Sequence, residues 1–117
     1  MLHKMNLHPA PFSLIESGLK TIELRLYDEK RRLIGVGDTI CFTCTDDPAR
    51  TLTATVTALH RFPDFAALYA ALPLERCGYR PEELATASPE DMNLYYTTEQ
   101  QARYGVVGIE ILVECED

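Results

Sequence analysis

No apolar run in the chain approaches the roughly 20 residues that cross a bilayer as a helix. The first residues, Met1-Leu2-His3-Lys4-Met5-Asn6, lack an apolar stretch of signal-peptide length, so the cytoplasm is the expected location and no membrane partner is expected. Internal repeats, low-complexity tracts and linkers are also missing, and 117 residues fall in the range of a single domain, here residues 1–117. Histidine is scarce and scattered, at positions 3, 8 and 60. There is no HExxH, no GxxxxGKS/T and no GxSxG, which removes the signatures of zinc peptidases, phosphate-loop nucleotide hydrolases and serine hydrolases; no cofactor is expected. Basic residues are outnumbered, 11 against 18 acidic, for a formal charge of −7.

Four cysteines are present, at 41, 44, 77 and 115. A chain of this size with 46% hydrophobic residues needs no disulfide framework, and free thiols are expected. Cys41-Phe-Thr-Cys44 has the spacing of a metal or redox pair. It lies inside Thr39–Thr45, however, where Ile40, Phe42 and Cys44 alternate as in a strand, which turns Cys41 to the other face. No second pair completes a four-ligand site, so no metal is expected.

The charge is unevenly spread. Residues 1–60 carry seven Lys or Arg and seven Asp or Glu, whereas residues 61–117 carry four and eleven. Affinity for a phosphate backbone comes mainly from Lys and Arg contacts, so an acidic chain is a poor generic nucleic-acid binder. Within the first half, Lys20, Arg25, Lys30, Arg31 and Arg32 fall inside thirteen positions, with Glu23, Asp28 and Glu29 among them. This is either a self-paired solvated surface or a local basic patch.

Short strands dominate the pattern. Met1–Leu7 reads as a first strand and Pro11–Ser17 as a short helix, with Phe12 and Ile15 on one face and Gly18 as its stop. Lys20–Leu26 alternates: Ile22, Leu24 and Leu26 share one face, and Thr21, Glu23 and Arg25 the other, which predicts a half-buried strand with a polar second face. Tyr27–Arg32 is polar loop and Gly35–Asp38 a turn. Thr39–Thr45 is the next strand. In Thr51–Leu59 the alternation places Leu52, Ala54, Val56 and Ala58 inward. Asp64 can cap a helix over Phe65–Leu72. Leu74–Ala87 is irregular, Ser88-Pro-Glu-Asp91 opens a helical segment, Thr98–Tyr104 is helical up to Gly105, and Val106–Val113 is a last strand. The fold class expected is α+β: a small, mainly antiparallel β-barrel of about five to six strands with two to four short helices.

The segment Gly18-Leu19-Lys20-Thr21-Ile22-Glu23-Leu24-Arg25 resembles the Gly-x-Lys-x-x-Glu-x-Arg signature of the ASCH domain, a barrel family related to PUA RNA-binding domains. The resemblance extends to the preceding helix, to Gly37-Asp38-Thr39-Ile40 entering a strand, and to the closing Tyr104-Gly105-Val106-Val107-Gly108. It implies binding of RNA or a modified nucleoside or nucleotide in a cleft beside the barrel.

The residue chemistry agrees. The guanidinium of Arg25 can grip a phosphate or base edge in two places, the Glu23 carboxylate can accept from an exocyclic amine, and Lys20 supplies a point charge. Glu23 and Arg25 share a strand face with about 6.6 Å between their Cα atoms. Lys20, Glu23 and Arg25 are therefore expected to meet in one hollow, with Thr21 beside them and Arg31 and Arg32 extending the positive surface. Tyr27, Tyr79, Tyr95 and Tyr96 are candidate stacking platforms, and the alternative for each is a half-buried core ring with its hydroxyl outward. His60 is either a site residue or a hydrogen-bonded structural histidine.

A bacterial branch of the same superfamily removes the acetyl group from acetylcytidine with a lysine, a threonine and a glutamate. Likeness to that branch places Lys20 on the lysine and Glu90 on the glutamate, but the threonine falls on Glu23. A carboxylate cannot replace an alcohol nucleophile with the same chemistry. As a base acting on water, Glu23 needs a raised pKa. Glu90 also reads as a carboxylate favoured at a helix start. Three readings remain open at this point: an RNA- or nucleotide-binding module, an amidohydrolase using Lys20, Glu23 and Glu90, and a protein-interaction domain.

Overall fold

The structure, a computed structural model, describes residues 1–114. Five strands, β1 (Leu2–Leu7), β2 (Ile22–Leu26), β3 (Thr39–Cys44), β4 (Thr51–Phe62) and β5 (Val106–Val113), form one sheet in the order β1-β3-β4-β5-β2. Only β1 and β3 run parallel; the other three pairings are antiparallel. Three α-helices, α1 (Pro9–Glu16), α2 (Phe65–Ala71) and α3 (Thr98–Tyr104), are joined by four short 3-10 turns at Arg31–Leu33, Leu74–Cys77, Pro81–Thr86 and Pro89–Leu94. No helix among the described residues is long and apolar enough to cross a membrane.

The sheet curls into a half-barrel. Its two edge strands, β1 and β2, share no ladder, yet Arg25 of β2 donates from Nη2 to the Asn6 carbonyl of β1 at 2.8 Å. A side chain thus spans the seam that the backbone leaves open, and part of each exposed edge is covered. Inside the curl lies one core: Met5 and Leu7 of β1, Phe12 and Ile15 of α1, Ile40, Phe42 and Cys44 of β3, Ala54 and Val56 of β4, and Val107, Ile109 and Ile111 of β5. A second core covers the outer face of β2, where Ile22, Leu24 and Leu26 meet Phe65 and Leu68 of α2 with Cys77, Met92 and Val106.

The local signals act as their chemistry requires. Gly18, at φ +83°, turns the chain out of α1 while Leu19 and Lys20 both donate to the Leu14 carbonyl. The Asp64 side chain accepts from Ala67 N–H at 2.8 Å and caps α2. Cys44 is buried in the inner core and Cys41 lies on the opposite face of β3. Among the described residues, no group of three or more His, Cys, Asp or Glu side chains gathers as a metal site; Cys115 lies outside the described residues.

Two expectations need correction. The regular alternation expected over Thr51–Leu59 breaks at a bulge between Val56 and Ala58, and β4 continues to Phe62. One extra residue reverses the parity of everything after it. Ala58 therefore sits opposite Glu110, and Leu59 takes the inward position opposite Ile109. The polar face of β2 is not solvated either. Glu23 is opposite Ile109 and Arg25 opposite Val107, so both side chains share the face of the inner core. Glu23 is only 3% exposed.

Candidate functional site

The site is built at the start of β2, where α1, the Gly18 turn and the Leu74–Cys77 turn converge. Lys20 Nζ lies 2.8 Å from Glu23 Oε1, and Arg25 reaches Glu23 Oε2 from Nη2 at 2.8 Å and from Nε at 2.9 Å. One buried carboxylate thus holds two cations, one on each oxygen. Burial alone would push Glu23 up; the ammonium of Lys20 and the guanidinium of Arg25 outweigh it and hold the carboxyl below its ordinary value. Such charge-assisted contacts fix direction as well as charge. Neither cation is used up. Arg25 Nη1 has no hydrogen-bond partner among the described residues, and an ammonium has three donors of which Glu23 takes one.

Gly78 completes the floor. It adopts φ +108°, and a Cβ there would lie 3.1 Å from Lys20 Cδ. The lysine stem therefore runs along bare backbone on its way to Glu23. A side chain at this position meets both a left-handed conformation and a crowded neighbour. Gly78→Ala is expected to lower the unfolding free energy by about 1–3 kcal/mol, measured by urea denaturation; a loss under about 0.5 kcal/mol, typical of a neutral surface change, would contradict the packing. Cys77 lies beside this stem. Burial pushes its thiol up to about 11 against the pull of Lys20 and Arg76, so it is protonated at neutral pH and is no nucleophile.

Thr21 is not part of the triad. Its hydroxyl accepts from Arg76 Nε at 2.9 Å and its N–H donates to the Arg76 carbonyl. Arg76 also approaches Glu110, which bonds His60 at 3.1 Å. His60 therefore has a structural partner on the outer face. Arg31 pairs with Asp28 at 3.3 Å, while Arg32 donates from Nε to the Tyr27 carbonyl. Glu90 is exposed in the first turn of Pro89–Leu94, with its N–H on the Ser88 hydroxyl and no side-chain contact to the triad. The carboxylate that works in that turn is Asp91, which accepts from Ser88 N–H and from Tyr79 O–H.

The tyrosines divide by environment. Tyr79 is bound to both Tyr69 and Asp91 at 2.7 Å, and this network occupies its hydroxyl. Tyr95 is exposed. Tyr96 stacks on Phe65 at 6.2 Å. Burial raises its hydroxyl above the ordinary value, and the charges of Arg25, Glu23, Arg31 and Asp28 all act on it. Tyr96 thus packs against the second core, with its hydroxyl within electrostatic reach of Arg25. Tyr27 packs against the inner core beneath two guanidinium groups, Arg32 at 4.9 Å and Arg61 at 5.4 Å from its ring centre.

Arg61 was not among the residues singled out from the sequence. Continued alternation from Leu52 puts Arg61 on the outer face; the bulge turns it to the side of Arg25, with Val107 between them in register. No linear motif marks that change. Of two surface cavities among the described residues, one of 480 Å³ lies away from the triad, lined by Glu16, Arg50 and Glu114, and one of 280 Å³ adjoins the Lys20 end of the site, lined by Leu14, Gly18, Arg76, Gly78, Tyr79 and Arg80 among others.

Nearly the whole chain aligns with known proteins. The family model for the ASCH domain matches residues 5–114. The chain belongs to the ASCH domain family. Two solved structures similar to it are the hypothetical protein PH0355, at 32% identity over 97% of this chain and 100% of that one with a TM-score of 0.80, and PF0455 from Pyrococcus furiosus, at 33% identity over 97% of each with a TM-score of 0.71. ASCH from Zymomonas mobilis shares 16% identity over 95% of this ASCH chain and 66% of its own, with a TM-score of 0.64, and so shares the fold. No curated protein matches. The ASCH half-barrel, with its mainly antiparallel sheet and short helices, is the α+β, PUA-like architecture expected from the sequence.

Acid should weaken this ASCH domain in a defined window. A carboxyl held low in the folded state stabilises it above its ordinary pKa, and that stability is lost as pH falls through the folded value. Glu23 acts below 4.5, and Asp38, held at about 2 by His3 and the Gly35 N–H, acts below 3.8. Unfolding free energy measured by urea titration is expected to be steady from pH 7 to about 5 and to fall below that. A flat profile down to pH 3 would contradict both assignments.

Proposed function

We propose that the chain binds RNA or a modified nucleoside or nucleotide at the seam between β1 and β2, with Lys20 and Arg25 as the contacting groups and Glu23 as the group that positions them. The observation that carries this reading is the sharing of one buried carboxylate between two cations. Each cation is oriented by one end and keeps donors at the other, which is how a preorganised polar grip is made. Tyr96 supplies a neighbouring ring for a base, since every base has a stacking face. Membership of the ASCH family supports nucleic acid as the partner class. Glu23 itself is turned inward with both oxygens engaged, so it orients the two cations and leaves contact with the ligand to them.

Hydrolysis is less well supported. A water-activating carboxylate needs a pKa raised towards neutrality, and Glu23 is held below its ordinary value. Glu90 is exposed, and the carboxylate paired with Lys20 is Glu23.

The test is a thermal-shift screen against the common nucleosides, their 5′-monophosphates, acetylcytidine and short RNAs. A ligand present at about 100 times its Kd raises stability by about 2.7 kcal/mol, which is a shift of several degrees. At least one probe is expected to do this, with acetylcytidine unaltered on recovery. No shift from any probe at millimolar concentration would refute the binding reading. Cytidine release that vanishes in Lys20→Ala would replace it with an amidohydrolase.

A further inference from the structure

We propose that Arg32 and Arg61, held on either side of Tyr27, form a phosphate-binding subsite beside the triad, so that the chain's ligand is a phosphorylated nucleoside unit, free or within RNA, in preference to an unphosphorylated nucleoside. The inference rests on the binding function proposed above and adds to it the charge class of the ligand.

Charge comes first. Lys20, Glu23 and Arg25 leave one positive charge at the seam, and Arg31 is neutralised by Asp28. Arg32 and Arg61 have no carboxylate partner among the described residues, and both are exposed. They therefore add two uncompensated charges to one corner of a molecule whose formal charge is −7. In a protein with this overall charge, a local cluster of unpaired guanidinium groups is the part that attracts an anion.

Geometry comes second. Both guanidinium groups are anchored on one aromatic ring, at 4.9 and 5.4 Å from its centre. Arg32 is further tied to the Tyr27 carbonyl through Nε, and its two terminal nitrogens have no hydrogen-bond partner among the described residues. A stacked guanidinium keeps its planar donors in a fixed orientation and loses less freedom on gripping an oxyanion than a free lysine does. Register then connects this pair to the triad: Arg61 lies opposite Val107, and Val107 opposite Arg25, on one face of the sheet. Neighbouring strands are about 4.8 Å apart, so the Cα atoms of Arg61 and Arg25 are separated by about 10 Å. That span suits a base or sugar at Arg25 and a phosphate at Arg61.

The experiment is a titration of wild type, Arg32→Gln, Arg61→Gln and Arg50→Gln with three probes: the four nucleosides, their 5′-monophosphates, and a random-sequence RNA octamer. Wild type is expected to bind the octamer or the monophosphates at least tenfold more tightly than the nucleosides; tighter binding of the octamer assigns the phosphodiester of RNA, and equal or tighter binding of the monophosphates assigns a free nucleotide. Arg32→Gln and Arg61→Gln are each expected to weaken the preferred probe by about 3- to 10-fold at 50 mM salt. For the octamer, each should also reduce the slope of log affinity against log salt by about 0.7, one phosphate contact. Arg50→Gln, the same charge change at the other end of β4, should leave that slope as in wild type. Circular dichroism of these surface variants checks that they fold. Equal affinity and slope in Arg32→Gln, Arg61→Gln and wild type would overturn the phosphate subsite while leaving the binding function in place. Nucleosides binding as tightly as phosphorylated probes would overturn it too. Failure of every probe to bind wild type would remove both readings together.

Discussion

Glu23→Gln is expected to lower the unfolding free energy by about 3–5 kcal/mol, the range for removing one partner from a buried ion pair. The substitution preserves shape and leaves one acceptor, so it creates no cavity. What it removes is the negative charge that Lys20 and Arg25 share. The Lys20 and Arg25 side chains are 10% and 15% exposed, and neither can hydrate fully without moving out of the seam. Two like charges are then left facing a neutral amide near the inner core. Urea denaturation at pH 7 measures the loss, and for a chain of this size Tm should fall by more than about 10 °C. Adding Lys20→Met should recover part of the loss, because it removes one stranded charge and leaves an apolar stem against Gly78; contacting residues are not additive. A single-mutant loss below about 1 kcal/mol would mean that the triad is hydrated and contributes no more than a surface pair.

The second large effect is on binding. Arg25→Ala is expected to weaken the preferred RNA or nucleotide probe by about 1.5–3 kcal/mol, or roughly 10- to 150-fold, the value of a hydrogen bond to a charged group. Arg25 is placed to do more than carry charge. Nε and Nη2 are fixed by Glu23 and by the Asn6 carbonyl, which leaves Nη1 as the nitrogen without a partner among the described residues. Lysine keeps the charge and three donors but lacks the planar fork that reaches Glu23 and the Asn6 carbonyl at once. Arg25→Lys should therefore fall between wild type and alanine. Direct titration at constant salt reads the difference, and wild-type affinity in Arg25→Ala would remove Arg25 from the site. Since Arg25 also bridges β1 and β2, hydrogen exchange at Asn6 and Leu7 in the alanine variant separates a local opening of the seam from a loss of ligand contact.

The division between what the sequence reveals and what it hides follows from locality. The alternation of Ile22, Leu24 and Leu26 against Glu23 and Arg25, the Gly18 stop and the Asp64 cap are set by neighbours in the chain, and each is legible. The burial of Glu23 is a different matter. It depends on β1 closing against β2 across the curl, a contact between residues nineteen apart at Asn6 and Arg25, and alternation alone suggests a solvated face. The bulge in β4 leaves no mark in the run of threonines and alanines, yet it decides that Arg61 joins Arg25. Tyr96 stacks on Phe65 in the second core, with its hydroxyl within electrostatic reach of Arg25, whereas Tyr79, another candidate by sequence, is withdrawn into bonds with Tyr69 and Asp91. Thr21 has the right parity for the site but is held by Arg76, which lies 55 residues away in sequence.

The most direct measurement is an amide chemical-shift titration of the intact chain with the random RNA octamer and the nucleoside 5′-monophosphates. Shifts are expected to concentrate at residues 20–33, at Arg61 and at Tyr96, and to leave the Arg50 and Glu16 end of the barrel undisturbed. Changes centred instead on the cavity by Arg50, or on the exposed Pro81–Thr86 turn, would show that the buried Lys20–Glu23–Arg25 cluster holds the barrel together and binds nothing.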